Sequence, residues 1–568
     1  MTSTPRLEDF LPQARIAYFS MEIGLAADIP TYSGGLGVLA GDTLRTAADL
    51  ELPMVGVSLV SRAGYFRQEI DAEGRQVERP DPWDPARHAR RLDAAVAIRI
   101  EERTVWIGGW LYVVRSWRGG SVPVILLDTD LNANDPRDRD ITHYLYGGDQ
   151  VYRIKQELVL GVGGVAMLQA LGFRLIGYHM NEGHSAFLTL ALMRRYAYAA
   201  EDLRPGEPPY DLPRIRDLCT FTTHTPVEAG HDQFDYELVR RIYPDLPDLP
   251  TLKRLAGEER LNMTRLALNL SEYVNGVAKR HAEVSQRMFP GYSVHAVTNG
   301  VHGPTWTSAP FQALYDRHVP GWCHEPELLA RADRIPDAAL WQAHVQAKQA
   351  LIERVQSITG VHLHPEQPIL GFARRMTAYK RPDLLFADPA RLRAIAQQWP
   401  FQVVLAGKAH PRDESGRQLI QTLHAHMRAL ADGLRIAFLP NYDMDLALTL
   451  VSGCDLWLNT PLRPLEASGT SGMKAAFNGV PQLSVLDGWW VEGCIEGVTG
   501  WAVGDDSPSA NGSDAQSLYD KLERVVLPLW YLERNAWIQV MKGAISKNAA
   551  YFNSHRMMRR YAAEAYLR

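Results

Sequence analysis

Short apolar runs alternate with turns and helical patterns along much of the chain. The run "PILGF" leads into "ARRMTAYKRP", and "FQVVLAGKAHP", "LRIAFLPN" and "CDLWLNTP" repeat the arrangement. Strands separated by helices pair in parallel, because each crossover helix returns the chain to the same edge of the sheet. The alternation therefore predicts an α/β fold with doubly wound parallel sheets, in which ligands bind at the carboxyl ends of the strands.

The length of 568 residues exceeds what one hydrophobic core usually serves, so at least two large domains are expected. The best break lies at "HAVTNGVHGPTW", before a long helical region and a second series of strands and helices. We therefore predict an N-terminal domain at residues 1–297 and a C-terminal domain at residues 298–545. The last helix, in residues 546–568, is expected to pack back on the first domain.

Composition narrows the functional classes. A formal net charge of −5 gives no support to a nucleic-acid partner, which requires a basic face. The four cysteines lack CxxC spacing, so neither a disulfide framework nor a zinc ribbon is indicated. The opening segment lacks the apolar run of a signal peptide, and no segment approaches the ~20 apolar residues of a membrane span. A cytoplasmic protein without a membrane partner is the simplest expectation.

Two turns stand where a parallel sheet would bind a ligand. "YSGGLGVLAGD" (Tyr32 to Asp42) lets backbone amides approach an anion at the start of a helix, although it is equally compatible with a tight turn. "FARRMTAYKRP" carries Arg374, Arg375, Lys380 and Arg381 just after an apolar strand. A solvated basic face is the common outcome for such a cluster, but cations at a strand end also suit a phosphate group.

Two further strand ends are rich in polar residues. "HMNEGHS" and "TTHTPVEAGHD" hold His179, Asn181, Glu182, His184, His224, Glu228, His231 and Asp232. Neither stretch has the HExxH order of a zinc hydrolase, so no metal site is predicted. Histidines satisfied inside the core are one alternative. A pocket that hydrogen-bonds many hydroxyl groups, as a sugar site does, is the other.

The stretch "EASGTSGMKAAFNG" places Lys474 among small residues. A lysine in a tight, partly desolvated pocket has a lowered pKa and can form an imine, although composition alone does not establish this. The role of "GWWVEG" stays open, since Trp489 and Trp490 could stack on a sugar or belong to the core. Asp135 to Asp140 ("DPRDRD") is interpreted as a solvated loop, with a mobile gate as the alternative.

Together these segments resemble the α-glucan phosphorylases, the family of glycogen, starch and maltodextrin phosphorylases. The resemblance runs along most of the chain and also includes "YVNGVAKRHAEV" and "VTNGVHGPTW". It indicates the short form of the family, since the first matching strand begins near Ile16 and leaves no room for the long regulatory extension of the animal enzymes.

The resemblance implies the GT-B architecture, two Rossmann-like domains that face a deep catalytic cleft. It also implies pyridoxal 5′-phosphate in Schiff-base linkage to Lys474, with the cofactor phosphate rather than its ring acting as proton donor and acceptor. The expected activity is reversible phosphorolysis of an α-1,4-glucan or maltodextrin from its non-reducing end. Inorganic phosphate is the co-substrate, α-glucose 1-phosphate is released with retention, and a homodimer is the expected assembly.

Site residues carry over by motif. Arg375 and Lys380 would clamp the phosphates with a backbone contact from Gly35, and His224 would lie near the reacting sugar. Glucose hydroxyls would be bound by Glu466, Ser468, Gly469, Asn299, His224 and Tyr379. The acceptor sugar would lie near Asn181, Glu182 and His184. The cofactor would be held by Lys474, Trp306, Thr470, Ser471 and Gly472.

The chain departs from the animal enzymes at two motifs. They carry "RIHEYKR" where this chain reads "RRMTAYKR", and "GTGNMK" where it reads "GTSGMK". The clamp cations and the lysine remain, so the departures concern regulation and gating. A nucleotide-sugar glycosyltransferase of the same architecture is the nearest rival, but such an enzyme has no use for the lysine. A catalytically silent glucan-binding protein is the second rival.

Overall fold

The computed structural model of the protein describes residues 5–203, 206–227, 230–505 and 512–567. The strands of these residues are β1 (Ile16–Ser20), β2 (Met54–Leu59), β3 (Arg67–Ile70), β4 (Gln76–Arg79), β5 (Arg90–Ile100), β6 (Arg103–Arg115), β7 (Ser121–Asp128), β8 (Gly177–Asn181), β9 (Cys219–Thr222), β10 (Gln233–Phe234), β11 (Leu261–Asn262), β12 (Tyr273–Gly276), β13 (His295–Ala296), β14 (Ile369–Ala373), β15 (Gln402–Ala406), β16 (Arg435–Leu439), β17 (Leu456–Asn459), β18 (Gln482–Val485) and β19 (Gly500–Val503).

The α-helices alternate with these strands. In the same ranges they are α1 (Leu7–Phe10), α2 (Gly35–Asp49), α3 (Pro136–Arg139), α4 (Gln150–Leu158), α5 (Gly164–Ala170), α6 (Leu188–Arg195), α7 (Leu212–Leu218), α8 (Tyr236–Ile242), α9 (Leu249–Ala256), α10 (Met263–Asn269), α11 (Lys279–Met288), α12 (Gly303–Trp306), α13 (Ala309–His318), α14 (Asp337–Thr359), α15 (Pro389–Gln398), α16 (Glu414–Leu430), α17 (Met444–Gly453), α18 (Ser471–Ala476), α19 (Trp490–Gly493), α20 (Asp514–Lys521), α21 (Leu527–Leu532), α22 (Arg534–Gly543) and α23 (Ser554–Tyr561).

Two large sheets organise the molecule. The first has the strand order β13-β12-β9-β8-β1-β2-β7-β6-β5, parallel from β13 to β7 and antiparallel at β6 and β5. The second has the order β16-β15-β14-β17-β18-β19 and is parallel throughout. The large parallel sheets predicted from the strand-helix alternation are thereby confirmed.

The central strands are apolar because both of their faces are covered. Every residue of β1 and of β14 is buried, as expected for parallel strands with helices on both sides. In the first sheet Phe19 pairs in register with Val57 on one side and Met180 on the other. This packing fixes the carboxyl ends of the strands as a rigid edge.

Helices near the site begin at acidic caps. The side chain of Asp443 accepts a hydrogen bond of 2.8 Å from the amide of Leu446 at the start of α17. Asp413 caps α16 in the same way, through the amide of Gly416 at 2.9 Å. Such caps satisfy amides that lack intrahelical acceptors, so each helix starts at a defined residue just after a strand.

The C-terminal helix α23 packs against α2 beneath the first sheet. The hydroxyl of Tyr561 accepts a hydrogen bond of 2.9 Å from Asn275 Nδ2, and Tyr566 Oη lies 2.6 Å from His179 Nδ1. These contacts join the end of the chain to strands of the first sheet. The division of the chain at residues 297 and 545 stays a prediction.

The segment expected to be a solvated loop differs from that expectation. Asp135 caps the short helix α3 through the amide of Arg137, at 3.0 Å. Asp138 is buried and accepts a hydrogen bond of 2.6 Å from Arg103 Nε. The charged residues alternate between solvent and a buried ion pair, which composition alone does not reveal. Across the described ranges no helix combines the length and apolar character that a membrane span needs.

Candidate active site

A cavity of about 560 Å³ lies between the carboxyl ends of the two sheets. Its walls come from the turns that follow β1, β8, β9, β14, β15 and β17, as the topology of parallel sheets predicts. Most of the residues predicted for a site line this cavity: Gly35, Glu182, His184, His224, Asn299, Trp306, Arg375, Tyr379, Lys380, Glu466, Ser468, Gly469, Thr470, Ser471 and Lys474.

The glycine-rich turn opens directly into the cavity. A side chain at Gly35 would meet nothing within 4 Å, whereas one at Gly37 would approach Glu22 Oε2 to 2.7 Å. Gly35 therefore exposes its backbone at the first turn of α2, where the helix dipole favours an anion. Glu22 already accepts hydrogen bonds from the amides of Ser33 and Gly34, at 2.6 and 3.2 Å.

The cations after β14 have different partners. Lys380 Nζ donates to both carboxylate oxygens of Glu466, at 2.8 and 2.7 Å, and Arg374 Nη1 lies 2.6 Å from the same carboxylate. Burial opposes the charge of Glu466, but the two cations outweigh it and lower the pKa of this carboxyl to about 2. Arg375 donates no hydrogen bond to any residue that the structure describes, and it is exposed to the cavity.

The segment between β14 and α15 is irregular. Ala378–Lys380 forms a single 3₁₀ turn, and α15 begins only at Pro389. This irregular segment lets Arg375 and Lys380 line the same cavity although they are five residues apart.

Lys474 lies in α18 and also lines the cavity. Its Nζ atom is 3.8 Å from the centre of the Trp306 ring and donates no hydrogen bond within the described part of the chain. Burial lowers the pKa of Lys474 to about 8, which leaves a substantial fraction of neutral amine near physiological pH. Trp306 is held in place by a hydrogen bond of 2.8 Å from its Nε1 to Asp42.

The ends of β8 and β9 are tied together by Glu182. Its carboxylate accepts hydrogen bonds from the amide of His224 at 2.7 Å and from Thr225 Oγ1 at 2.9 Å. The backbone of Glu182 has φ of +74°, a conformation that non-glycine residues rarely adopt and that is often found at functional sites. The strained turn directs this carboxylate toward the next strand end.

His224 and Asn181 form a second link between these strand ends. His224 Nε2 lies 2.7 Å from Asn181 Oδ1, and burial lowers the pKa of His224 to about 3. The imidazole is therefore neutral at pH 7. Asn181 does not line the main cavity, and its side chain contacts the cavity wall through His224.

His184, which follows β8, also lines the cavity. Its Nε2 lies 3.5 Å from Asp232, while its buried Nδ1 has no hydrogen-bond partner among the described atoms. Burial lowers the pKa of His184 to about 3, so this ring is also neutral at pH 7. Arg153 binds the same aspartate at 3.0 Å.

Besides His184 Nδ1, two further buried polar atoms of the cavity wall lack partners in the described structure, Asn299 Oδ1 and Ser468 Oγ. An unsatisfied buried polar atom costs about 1–3 kcal/mol, so such atoms are normally paired with water or a ligand. Their position beside Glu466 and Gly469 forms a polar wall suited to a polyhydroxylated ligand.

Some residues of the polar motifs do not face the cavity. His179 and His231 hydrogen-bond inside the core, to Thr222 Oγ1 at 2.8 Å and to Thr264 Oγ1 at 2.8 Å. Gly472 packs against the side chain of Gln482, so only its backbone is available. Trp489 and Trp490 are both buried in the core, stacked edge-on against each other. Glu228 lies outside the described residues.

Several cavity residues were missed by sequence reasoning: Glu22, Tyr65, Tyr146, Arg153 and Lys408. Glu22 and Lys408 follow β1 and β15 directly, so their position after an apolar strand was a usable signal. The others lie on loops or helices whose position depends on tertiary packing. No cluster of three or more potential metal ligands occurs among the described side chains.

Known proteins resemble this chain in sequence over most of its length. The model of the carbohydrate phosphorylase family matches residues 26–108 and 231–561. The maltodextrin phosphorylase of Thermococcus litoralis is 40% identical, over 97% of this chain and 70% of that protein. The glycogen phosphorylases of Mycobacterium tuberculosis and Aquifex aeolicus are 38% and 35% identical over 97% of this chain, and 70% and 86% of their own lengths are covered.

These matches confirm the resemblance inferred from the motifs. The family model covers more than half of the chain, and the identity of 40% extends over nearly all of it. The chain belongs to the carbohydrate phosphorylase family.

Proposed function

We propose that the protein catalyses the reversible phosphorolysis of α-1,4-glucans from the non-reducing end and releases α-glucose 1-phosphate with retention. The observation that carries this proposal is the amine of Lys474, which is buried on the face of Trp306 and donates no hydrogen bond to any described residue. A buried ammonium without a hydrogen-bond acceptor costs free energy, because burial disfavours its charge. Conversion of this amine to a neutral imine would remove that cost.

The residues around Lys474 fit pyridoxal 5′-phosphate. The lowered pKa of about 8 supplies a neutral amine for covalent tethering, and small residues leave room beside it for a ring. Trp306 would pack near the cofactor, and the backbone amides of Thr470, Ser471 and Gly472 would hold its phosphate. When bound, the cofactor would supply a phosphate group that exchanges a proton with the substrate phosphate.

Inorganic phosphate would be bound by Arg375, Lys380 and the backbone of Gly35. Arg375 is free to offer a planar pair of donors, since no described residue accepts from it. Lys380 is shared with Glu466, so its ammonium would bridge the phosphate and the carboxylate that contacts the sugar. This arrangement places the anion beside the glycosidic bond and depends mainly on positioning and electrostatics.

The glucose unit would be bound by Glu466, Ser468, Gly469, Asn299, His224 and Tyr379. Their oxygen and nitrogen atoms pair with several hydroxyl groups, and Asn299 and Ser468 have unsatisfied atoms for this purpose. Asn181 would act by orienting His224, while Glu182 and His184 would lie near the acceptor sugar. The substrate phosphate would protonate the glycosidic oxygen, and one of its oxygens would then bond to C1 on the face that the glucan leaves.

Water has to be kept from the reacting carbon, because hydrolysis would otherwise compete with phosphorolysis. We propose a GT-B architecture for this purpose, with domains at residues 1–297 and 298–545 and with residues 546–568 returning to the first domain.

A homodimer is proposed for the assembly, which the molar mass in solution would test.

One assay separates this function from its rivals. Purified protein incubated with maltodextrin and inorganic phosphate should form glucose 1-phosphate, and the reverse reaction should extend the glucan. A nucleotide-sugar glycosyltransferase would instead need a nucleotide sugar, and a silent glucan-binding protein would form no product. Absence of glucose 1-phosphate from cofactor-loaded protein would refute the proposal.

A further inference from the structure

A small hairpin from the first part of the chain reaches the second sheet. Strands β3 and β4 pair with each other in a separate two-stranded ladder. Two of its side chains, Gln68 and Gln76, are each only 2% exposed. They contact the turns that follow β15 and β16 of the second sheet. We call these two side chains the glutamine bridge.

Gln76 is bound to one residue of the second sheet through both ends of its amide. Its Nε2 donates to the carbonyl of Ala409 at 2.9 Å, and its Oε1 accepts from the amide of Ala409 at 2.9 Å. The side chain thus pairs with the backbone as a neighbouring strand would. A carboxylate or an apolar side chain cannot supply both a donor and an acceptor.

Gln68 extends the same network. Its Nε2 donates to Gln76 Oε1 at 2.8 Å and to the carbonyl of Gly407 at 2.9 Å. Its Oε1 accepts from the amide of Asn441, at 2.9 Å. Both amides of the bridge therefore have donors and acceptors in use, and the network excludes other arrangements of the turn at Gly407.

The turn at Gly407 is joined in turn to the segment that carries Arg375. The amide of Met376 donates to the carbonyl of Lys408 at 2.9 Å, and the amide of Arg374 donates to that of Ala406 at 3.2 Å. A side chain at Gly407 would collide with the carbonyl of Arg374. Arg375 thus lies between two backbone hydrogen bonds to the turn that the bridge holds.

We propose that Gln68 and Gln76 are positioning residues for Arg375, an inference that rests on the proposed role of Arg375 in binding inorganic phosphate. Arg375 has no hydrogen-bond partner of its own among the described residues, so its direction depends on the backbone that carries it. The bridge holds that backbone through the turn at Gly407 to Ala409. Loss of the bridge should therefore weaken phosphate binding and leave glucan binding largely intact.

Gln76→Met tests this, since methionine has similar size but no amide. Initial rates should show a KM for inorganic phosphate raised roughly tenfold, the cost of one lost buried hydrogen-bond pair, and a KM for glucan within about twofold of wild type. Gln397→Met is the matched control, because Gln397 is exposed on α15. It should leave both constants unchanged. Cofactor content and thermal unfolding report whether each variant is folded.

Gln76→Asn replaces Gln76→Met if the latter does not fold, because it keeps a neutral amide but is one methylene too short for the paired contacts with Ala409. The unmodified protein provides an independent measurement. If the bridge and phosphate binding are coupled, saturating inorganic phosphate should slow hydrogen exchange at the amide of Ala409 about fivefold or more, by reciprocity.

Unchanged exchange at Ala409, or an unchanged phosphate KM in a folded Gln76 variant of active protein, would overturn the bridge proposal. Wild-type protein that forms no glucose 1-phosphate would refute the proposed function instead. The two failures are therefore distinguishable.

Discussion

Two lysines that line the cavity, Lys408 and Lys474, show how similar acidity can accompany different surroundings. Burial lowers the pKa of Lys408 and of Lys474 to about 8 in both cases. Lys408 Nζ donates a hydrogen bond of 2.8 Å to the carbonyl of Phe66, and so joins the turn after β15 to the first part of the chain. The amine of Lys474 lies on the face of Trp306 and donates no hydrogen bond to any described residue. A lowered pKa alone therefore does not separate the two lysines, whereas the absence of a described hydrogen-bond acceptor does, and the proposed role of Lys474 rests on that difference.

The largest expected effect comes from replacing each lysine in turn. Lys474→Ala should abolish binding of pyridoxal phosphate and lower phosphorolysis by roughly 10³-fold, the usual contribution of a positioned proton donor. Lys408→Ala is the matched control and should retain the cofactor. Near-ultraviolet absorbance and the rate of glucose 1-phosphate formation measure both outcomes. Retained absorbance and full activity in Lys474→Ala would remove that residue from the cofactor site.

A third lysine sharpens the comparison because its partner is a buried carboxylate. Glu466→Gln leaves Lys380 and Arg374 without their anion and should destabilise the folded protein by about 3–5 kcal/mol at pH 7. Thermal unfolding measures this change. Glu69→Gln, at an exposed ion pair, is the control and should cost less than about 1 kcal/mol.

The same carboxylate predicts a direction for acid sensitivity. The pKa of Glu466 is lowered from 4.5 to about 2 in the folded state, so its stabilisation is complete above about pH 4.5 and is lost as the pH falls toward 2. The stability of Glu466→Gln should decline less over this range than that of wild type. If the free energy of unfolding of both proteins fell equally between pH 4.5 and about pH 2, the ion pair would be contradicted.

Arg375, like Lys474, donates no hydrogen bond to any described residue. Arg375→Ala should raise the KM for inorganic phosphate roughly 10- to 100-fold, because one charge-assisted contact is lost. Cofactor absorbance should stay unchanged. Arg118→Ala, at an exposed turn, is the control. An unaltered phosphate dependence would exclude Arg375 from the phosphate site.

The smallest effect concerns the rate at which protein freed of cofactor takes it up again. With a pKa of about 8, the neutral fraction of Lys474 rises about tenfold from pH 6 to 7 and levels off above pH 8. Uptake measured by absorbance should follow this curve. A lysine derivative in solution has a pKa of about 10.4, so its reaction with the cofactor should continue to accelerate up to pH 10. Uptake that parallels the free derivative would mean that burial does not control Lys474.

Local patterns were enough to predict the sheets and much of the cavity wall. An apolar run followed by polar residues marks the carboxyl end of a parallel strand, and this rule pointed to His224 and Arg375, which follow strands of different sheets and line one cavity. Glu466 was assigned only through the family resemblance. Lys474 was noticed because small residues surround it. These patterns lie within short stretches of sequence, so they can be recognised without knowledge of tertiary packing.

Contacts between distant parts of the chain were not predictable in this way. The ion pair of Lys380 with Glu466 joins residues 86 positions apart, and the bridge from Gln68 to Gly407 joins residues 339 apart. The short strand of Gln76 has no hydrophobic pattern that would indicate its partner. Trp489 and Trp490 could not be assigned either, because aromatic residues serve cores and sugar sites equally well.

The most direct test of the central claim compares the two lysines chemically within one protein. Purified protein is treated with borohydride, which fixes an imine-linked cofactor, and is then digested and analysed by mass spectrometry. We expect a pyridoxyl phosphate adduct on Lys474 and an unmodified Lys408. An adduct on Lys408, or unmodified Lys474 in protein that forms glucose 1-phosphate, would contradict it.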